Sequence, residues 1–289
     1  MQVLFEDIST RLFSPQLWRG FAPPTAFGPD GGCATGASGN PAFGFFDDFL
    51  SFQASTLEGP YLMLETGGDG GITIEQDNDV AGVKGLLKIT FDAGTAEDEG
   101  VLQWGRGLCA PFKLADKDLA FECRMAVSAI TASKWSAGVG LGEVGMGATD
   151  CFFADSSGAL ADKNFCGFNK LYAETSAWDG AYKADTKTYQ NGATKTKLDT
   201  LATFEAYADV DSYHKLGFRY RAHPKTVEWY VDGVMPGGLI TPARLTASEV
   251  DAATFPDDVF MAPIIGAKST AGSAAYVIYL DWWACAQYE

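Results

Sequence analysis

Alternation of apolar and polar side chains dominates the chain from residue 43 onward. The segment Leu119–Val127, LAFECRMAV, is apolar at every odd-numbered position, which is typical of a strand with one buried face. The same period, or a short apolar run bounded by turn residues, predicts further strands. They lie at residues 45–50, 71–75, 85–91, 100–104, 135–141, 150–154, 164–171, 187–190, 213–221, 226–231, 259–267 and 274–284.

Helical periodicity is scarce. Residues 197–207 form one candidate helix, and residues 243–252 form a shorter one that Thr246 or Ser248 would cap. About a dozen strands without βαβ alternation or a repeat period predict two packed antiparallel sheets. The expected fold class is therefore all-β: a two-sheet jelly-roll sandwich with an extended N-terminal arm and one or two short helices.

Residues 1–42 differ from the rest of the chain. Phe5 and Phe13 belong to a possible short amphipathic helix that Pro15 limits, and Trp18 stands between Pro15 and Pro23. The Gly/Ser/Ala-rich residues 28–41 are typical of a flexible linker. We predict an arm over residues 1–42 and a sandwich over residues 43–289. The arm either docks on a neighbouring subunit through its aromatic side chains or packs on its own domain.

Two C-terminal patterns predict which side chains face the core. In Thr226–Val231 and the residues after it, Val227, Trp229 and Val231 share one face, and Asp-Gly at 232–233 suits a tight turn. In residues 276–283 the even positions form the better core stripe, so Trp282 should be buried and Trp283 should lie on the opposite face. Trp283 is therefore a candidate for contacting a glycan or a partner. Trp178, Phe5, Phe13 and Trp18 are further aromatic candidates for such contacts.

The net charge and the composition limit the classes of partner that the chain is expected to bind. The 289 residues carry a formal charge of -16, which argues against nucleic acid and anionic membranes because binding them needs clustered Lys and Arg. No apolar run reaches the length of a membrane span, and Glu6 and Asp7 stand where an export signal would be basic and apolar. The six cysteines have no C-x-x-C spacing and are expected to be buried thiols made in a reducing cytosol, with pairing of some left open.

Candidate catalytic and metal motifs are weak. Glu75, Asp77 and Asp79 form E-x-D-x-D, but on a regular strand Glu75 and Asp79 would stand about 13 Å apart, too far for a retaining glycosidase without a bulge. The acidic Gly-rich turn at 67–71 and the acids at 92 and 97–99 are expected to be solvated loop tips, although calcium would suit such oxygen ligands. No cofactor is predicted.

Two other patterns are assigned to structure. The G-x-G-x-x-G of residues 140–145 has no helix after it, so we interpret it as a Gly-rich strand where backbones approach closely. The two histidines, His214 and His223, have no carboxylate or cysteine at ligand spacing. His214 should pack on the sheet and His223 should lie in a turn.

The hairpin YHKLGFRYR with VEWYVDG, at residues 213–221 and 227–233, resembles the hairpin common to concanavalin A-like lectin/glucanase and laminin-G-like sandwiches. The stretches FFDDFL and AAYVIYLDWWACAQ resemble their first and last strands, so that the similarity covers roughly residues 43–288. A closer resemblance, in order and spacing, is to structural proteins of tailed bacteriophages that carry this sandwich. It rests on FFADSSG (152–158), NFCGF (164–168), the hairpin and FPDDVFMAPIIGAKS (255–269).

The phage resemblance implies a non-enzymatic virion component, made in the host cytoplasm, that acts as a capsid decoration or cement protein. Its partners would be the major capsid protein or other virion subunits, further copies of itself and host glycans. A glycan-binding lectin-like module is the alternative function, and a β-glucanase is a third.

Overall fold

The computed structural model describes most of the chain. The described residues are 13–21, 28–35, 41–49, 60–66, 73–77, 85–91, 99–105, 110–130, 135–143, 145–146, 153, 160–161, 163–238, 241–269 and 276–288. Within these ranges, no helix has the length and apolar character that crossing a membrane requires.

Seventeen described strands form two sheets. The nine-stranded sheet contains β1 (Gly32–Thr35), β2 (Pro41–Asp47), β4 (Thr73–Asp77), β5 (Leu86–Phe91), β8 (Leu119–Val127), β13 (His214–Arg221), β14 (Thr226–Val231), β15 (Arg244–Leu245) and β17 (Tyr276–Tyr288). The eight-stranded sheet contains β3 (Tyr61–Thr66), β6 (Glu99–Trp104), β7 (Phe112–Lys113), β9 (Trp135–Glu143), β10 (Phe165–Lys170), β11 (Ala177–Lys183), β12 (Ala202–Thr203) and β16 (Phe260–Ser269). One four-residue helix, α1 (Ala247–Val250), lies between β15 and β16.

The strand order confirms an antiparallel sandwich. The nine-stranded sheet runs β1-β2-β17-β8-β13-β14-β15, with β5 on the far part of β17 and β4 beyond it. The eight-stranded sheet runs β12-β11-β10-β9-β16-β6-β3, with β7 on the end of β16. The alternation predicted for β8 is confirmed, because its odd-numbered side chains all lie in the core between the sheets.

The β13–β14 hairpin joins the two sheets. Phe218 pairs with Trp229, and the Trp229 indole N–H donates to the Gly167 carbonyl of the eight-stranded sheet at 2.9 Å. After β14, Asp232 and Gly233 adopt φ of 50° and 81° and close the predicted tight turn. The side chains of β14 face the core and the outer surface as the sequence predicts.

A bulge in β17 overturns one prediction. The pairing of β17 with β8 shifts register between Leu280 and Trp282, which inserts Asp281 as an extra residue. Beyond that point the odd-numbered side chains face the core, so Trp283 is fully buried between the sheets and Trp282 faces the outer side. The prediction that Trp282 is the core residue and Trp283 the outward one was wrong, because it assumed an unbroken period of two.

Residues 13–21, the first described part of the arm, pack on their own domain. Phe13, Leu17, Trp18 and Phe21 are buried on the outer face of the nine-stranded sheet, against Trp282 and its neighbours. Of the two alternatives for the arm, packing on its own sheet therefore holds for these residues. Within the predicted linker, Gly32–Thr35 form strand β1, which pairs with β2.

Several local predictions fail where long-range contacts decide. The predicted helix at 197–207 is a short 3₁₀ turn, Thr196–Leu198, followed by β12. The sequence did not predict β1, β3, β7, β11, β12 or β15. The strand predicted at 187–190 is an isolated bridge at Gln190, and of the strand predicted at 150–154 the structure describes Phe153 alone, which forms an isolated bridge. The short helix after Arg244 does exist, and Thr246 rather than Ser248 caps it.

Candidate functional site

A group of carboxylates lies at one end of the eight-stranded sheet. The side chains of Glu174, Asp179 and Asp199 approach so closely that one oxygen from each lies within 4.8 Å of the others. Strand β11 carries Asp179, the turn between β10 and β11 carries Glu174, and the loop before β12 carries Asp199. We call these three residues the carboxylate cluster.

Asp179 is the buried centre of the cluster. Its strand neighbour Trp178 faces the core, so alternation directs Asp179 to the outer face of the sheet. Its two oxygens accept the backbone N–H groups of Gly192 at 2.9 Å and Thr200 at 2.8 Å. One carboxylate therefore holds both ends of the 192–200 loop.

Glycine is required at position 192. A Cβ there would stand 2.3 Å from Oδ2 of Asp179 and 2.7 Å from the Cα of Asp199. The close approach that brings Asp199 into the carboxylate cluster thus depends on the missing side chain.

A buried lysine secures the turn that carries Glu174. The Lys170 amine donates to the carbonyl of Glu174 at 2.9 Å and to that of Trp135 at 3.1 Å, and it lies over the Trp135 ring. The Glu174 N–H closes the turn by donating to the Leu171 carbonyl at 3.1 Å. Burial lowers the pKa of Lys170 to about 8.

One buried oxygen of the carboxylate cluster, Oε2 of Glu174, has no hydrogen-bond partner among the described residues. Asn169, directly opposite Asp179 on β10, is fully buried beside the cluster, and its amide contacts the buried hydroxyl of Tyr189. Buried polar atoms without partners are costly, so this concentration of oxygens favours a bound ligand at the cluster.

The electrostatics of the cluster favour a proton or a cation. Burial, reinforced by the charge of Asp179, raises the pKa of Glu174 to about 7. Burial also raises the pKa of Asp179 to about 6, against the opposing effect of its backbone donors. Burial and the two nearby acids hold the pKa of Tyr189 well above its usual value. Three like charges this close are unfavourable unless one is neutralised.

Two chemistries fit this arrangement. Carboxylate and amide oxygens are the ligands of a hard cation such as calcium, and Asn169 adds an amide oxygen to three carboxylates. A protonated carboxyl about 5 Å from an ionised one is also the pair that a retaining glycosidase uses. Asp179 suits the first role better: backbone donors to both oxygens weaken it as a nucleophile, whereas each oxygen keeps a second lone pair for a cation.

The predicted contact residues lie elsewhere. Trp178 and Trp283 are buried in the core, so their rings offer no surface to a glycan or a partner. Phe13 and Trp18 are buried where the arm packs on the outer face of the nine-stranded sheet. Phe5 lies outside the described residues. The exposure expected of the first two was wrong because each lies on the inward face of its strand.

The structure describes some of the other acidic residues that the sequence analysis named as candidates. Glu75 and Asp77 lie on β4, which pairs with β5 at the edge of the nine-stranded sheet, and Asp79 is outside the described residues. Glu99, expected at a solvated tip, is instead fully buried on β6 and accepts the Phe153 N–H at 3.0 Å. The Lys268 amine lies 3.9 Å from the other carboxylate oxygen of Glu99.

The G-x-G-x-x-G segment and the two histidines have the structural roles that the sequence predicts for them. A Cβ on Gly140 would lie 2.3 Å from the Cys166 carbonyl, so the G-x-G-x-x-G segment marks close strand approach. His214 packs on Phe204 and its Nδ1 lies 2.8 Å from Asp232, while His223 lies in the β13–β14 turn. Cys123, Cys166 and Cys285 are buried thiols as expected, but Cys33 is exposed on β1.

The sequence contains one signal for the carboxylate cluster that its motifs did not reveal. Asp179 is a charged residue inside a strand, between Trp178 and Gly180, and Lys170 is a charged residue at the end of the strand FCGFNK. A buried charge in such a strand is uncommon without a partner or a function. The meeting of Glu174, Asp179 and Asp199 itself depends on the fold.

Comparisons with known proteins identify the fold. No protein-family model matches the chain, and no curated protein matches it either. The crystal structure of the Emp46p carbohydrate recognition domain in its potassium-bound form superposes with a TM-score of 0.50 at 11% identity, covering 82% of this chain and 94% of that one. The chain has a concanavalin A-like fold.

Two further solved structures match the chain at lower TM-scores. An endo-1,3-β-glucanase from Streptomyces sioyaensis matches at 11% identity with a TM-score of 0.46, covering 85% of this chain and 95% of that one. A seed lectin isoform of Lotus tetragonolobus matches at 10% identity with a TM-score of 0.44, covering 85% and 99%. At these identities the likeness concerns architecture only, and function has to come from the site.

Proposed function

We propose that this chain is a non-enzymatic glycan-binding module whose carboxylate cluster holds a hard cation, with calcium as the best fit. The observation that carries the proposal is the meeting of three carboxylates, one of which, that of Glu174, has a buried oxygen with no hydrogen-bond partner among the described residues. A cation there would neutralise the cluster and fix the 192–200 loop through Asp179 and Asp199. Emp46p, named above, is a carbohydrate recognition domain with a potassium-bound form, which is consistent with this role.

The test combines cation binding with glycan binding. Calcium added to EDTA-treated protein should raise the melting temperature, by about 5 °C at a concentration 100-fold above Kd. Asp199→Asn should abolish the rise because Asp199 is a member of the carboxylate cluster, whereas the exposed Asp258→Asn should keep it. A glycan array should give binding in calcium that EDTA removes. If neither calcium nor potassium raises the melting temperature and no glycan on the array binds, the proposal is wrong.

A glycoside hydrolase is the second candidate, and the raised pKa of Glu174 favours it. A carboxyl that stays protonated near neutral pH could act as a general acid beside an ionised neighbour. Hydrolysis of a β-1,3-glucan by the wild type, lost in Glu174→Gln but kept in Asp258→Asn, would establish catalysis in place of simple binding.

The place of this module in a tailed-phage particle is a further proposal. It is supported by the order and spacing of the segments at 152–158, 164–168 and 255–269 and is compatible with glycan binding. The arm gives it no support, since residues 13–21 are occupied with their own sheet. Finding the chain in purified virions by mass spectrometry would support a decoration role, and its absence from them would end it.

A further inference from the structure

The 192–200 loop has a second face, away from the carboxylate cluster. Its central residues form one wall of a groove with a cavity volume of about 560 Å³, and the segment that leads from residue 241 into α1 forms the other wall. The groove is lined by Lys195, Thr196, Lys197, Thr241, Pro242 and Arg244. We call it the basic groove.

The charge of the basic groove is opposite to that of the chain. Three cationic side chains line it against one carboxylate, that of Glu249, while the whole chain carries -16. Burial alone would raise the pKa of Glu249, but hydrogen bonds, above all from Lys197, lower it to about 2. Glu249 therefore stays ionised and leaves a local excess of positive charge, which attracts an anion.

Glu249 also holds the two lysines in place. Its carboxylate contacts the Lys195 amine at 3.4 Å and hydrogen-bonds the Lys197 amine, and it accepts the Thr246 N–H at 2.9 Å. The lysine amines are thus fixed along the wall instead of moving freely in solvent. Preorganised cations of this kind lose less conformational entropy when a ligand binds.

Of the three cations that line the basic groove, Arg244 is the one without a partner among the described residues. It lies on the edge strand β15 with an exposed side chain, and its guanidinium makes no hydrogen bond or ion pair within the described ranges. Glu228, its pairing partner across the strands, is instead bound to Arg221 and Tyr230. A guanidinium left open in this way suits bidentate contact with a carboxylate or a sulfate.

We propose that the basic groove binds an acidic saccharide, whose carboxylate or sulfate group pairs with Arg244 between the fixed lysines. This inference rests on the proposed glycan-binding function and names the class of glycan. The exposed hydroxyls of Thr196 and Thr241 can bond sugar hydroxyls, and the Pro242 ring offers an apolar surface to a sugar face. Asp179 holds the loop from its other side and Asp199 lies within the loop, so a cation in the carboxylate cluster would steady the groove wall.

Isothermal titration with three hexasaccharides in calcium tests the inference. Oligogalacturonate carries carboxylates, a chondroitin sulfate oligosaccharide carries sulfates as well, and cellohexaose is neutral. At least one acidic sugar should bind and the neutral one should not, with affinity falling as salt is raised from about 50 to about 300 mM. Comparison of the two acidic sugars tells which anionic group the groove prefers.

Matched variants locate the binding. Arg244→Gln should weaken binding of the acidic sugar roughly ten-fold because one charge-assisted contact is lost. Lys187→Gln removes the same charge from an exposed side chain outside the groove and should change nothing. Since Arg244 is exposed, thermal unfolding should show that both variants fold like the wild type.

Two outcomes overturn the inference while the proposed function stands. One is that cellohexaose, or neutral glycans on the array, bind as tightly as the acidic sugars. The other is that an acidic sugar binds Arg244→Gln as tightly as the wild type, which would put the site elsewhere. If no saccharide of any kind binds in calcium, the proposed function itself fails.

Discussion

At the scale of single residues, the unusual feature is the burial of charged and polar groups that most proteins expose. Asp179, Asn169 and Lys170 are buried at one end of the eight-stranded sheet, and the pKa values of Asp179 and Lys170 shift in opposite directions for the same cause. Burial penalises the charged form of each group, whichever sign it has. The cost is acceptable where the groups hold a loop or a ligand, and Asp179 does hold the 192–200 loop.

The carboxylate cluster predicts a pH dependence of stability. In the cation-free protein the pKa values of Glu174 and Asp179, about 7 and about 6, exceed the ordinary 4.5 and 3.8. The folded state therefore binds more protons than the unfolded state between these values. The stability from this source is full below pH 4 or so and is lost as pH rises through about 6 to 7.

Urea denaturation in EDTA between pH 5 and 8 measures this effect. The wild type should lose stability as pH rises, Glu174→Gln should lose less, and the exposed control Asp258→Asn should follow the wild type. Calcium should stabilise the wild type at pH 8 and have little effect at pH 5, because protons then occupy the carboxylates. An equal slope in Glu174→Gln and wild type would contradict the assigned burial of this carboxyl.

At the scale of elements, the arm and the nine-stranded sheet are joined by one buried carboxylate. Glu122 on β8 accepts the Ser14 N–H at 3.1 Å, the Ser14 hydroxyl, and the Trp18 indole N–H at 2.8 Å. Arg219 on the neighbouring strand donates to arm carbonyls, including that of Arg19 at 2.9 Å. Burial raises the pKa of Glu122, against the effect of these donors. The arm residues 13–21 thus complete the sheet's outer face.

Removal of the Glu122 carboxylate should loosen the arm. Glu122→Ala leaves the Ser14 and Trp18 donors buried without an acceptor, and we expect the free energy of unfolding to fall by about 2 to 3 kcal/mol. Glu122→Gln keeps one acceptor oxygen and should cost less, while Glu205→Ala, an exposed carboxylate, should cost almost nothing. Urea denaturation checks all three.

A double-mutant cycle separates this contact from general destabilisation. Glu122→Ala combined with Trp18→Phe should cost less than the sum of the two single changes, because both remove the same hydrogen bond. Strict additivity would mean that the indole N–H and the carboxylate do not interact in solution.

At the scale of the whole molecule, one core joins the two sheets. Cys123 and Cys285 on the nine-stranded sheet lie in the same cluster of buried residues as Cys166 on the eight-stranded sheet. Burial raises the pKa of each of these thiols, so none forms the reactive thiolate in the folded protein. A single core of this kind should unfold as one unit.

Thiol labelling measures that cooperativity. Iodoacetamide in increasing urea, followed by peptide mass spectrometry, should leave the three thiols unlabelled in native protein and label them at one common midpoint. Labelling of Cys166 at clearly lower urea than Cys123 and Cys285 would mean that the eight-stranded sheet opens by itself.

The sequence by itself determined the fold class and the faces of the regular strands. In β8 and β14 the alternation of side chains is a local property of an extended backbone, so it could be predicted without knowing what each strand pairs with. The Asp232-Gly233 turn and the close approach at Gly140 were predictable for the same reason, since both depend on the backbone needs of one or two residues.

Only the tertiary structure decided the rest. The extra residue at Asp281 reversed the faces of Trp282 and Trp283. Arm residues 13–21 pack on their own sheet because Glu122 and Arg219 on that sheet bind them. Glu174, Asp179 and Asp199 meet because β10, β11 and the 192–200 loop are packed together, and the basic groove forms where that loop faces the residues before α1. These features depend on contacts between distant positions, and side-chain periodicity along the chain carries no information about such contacts.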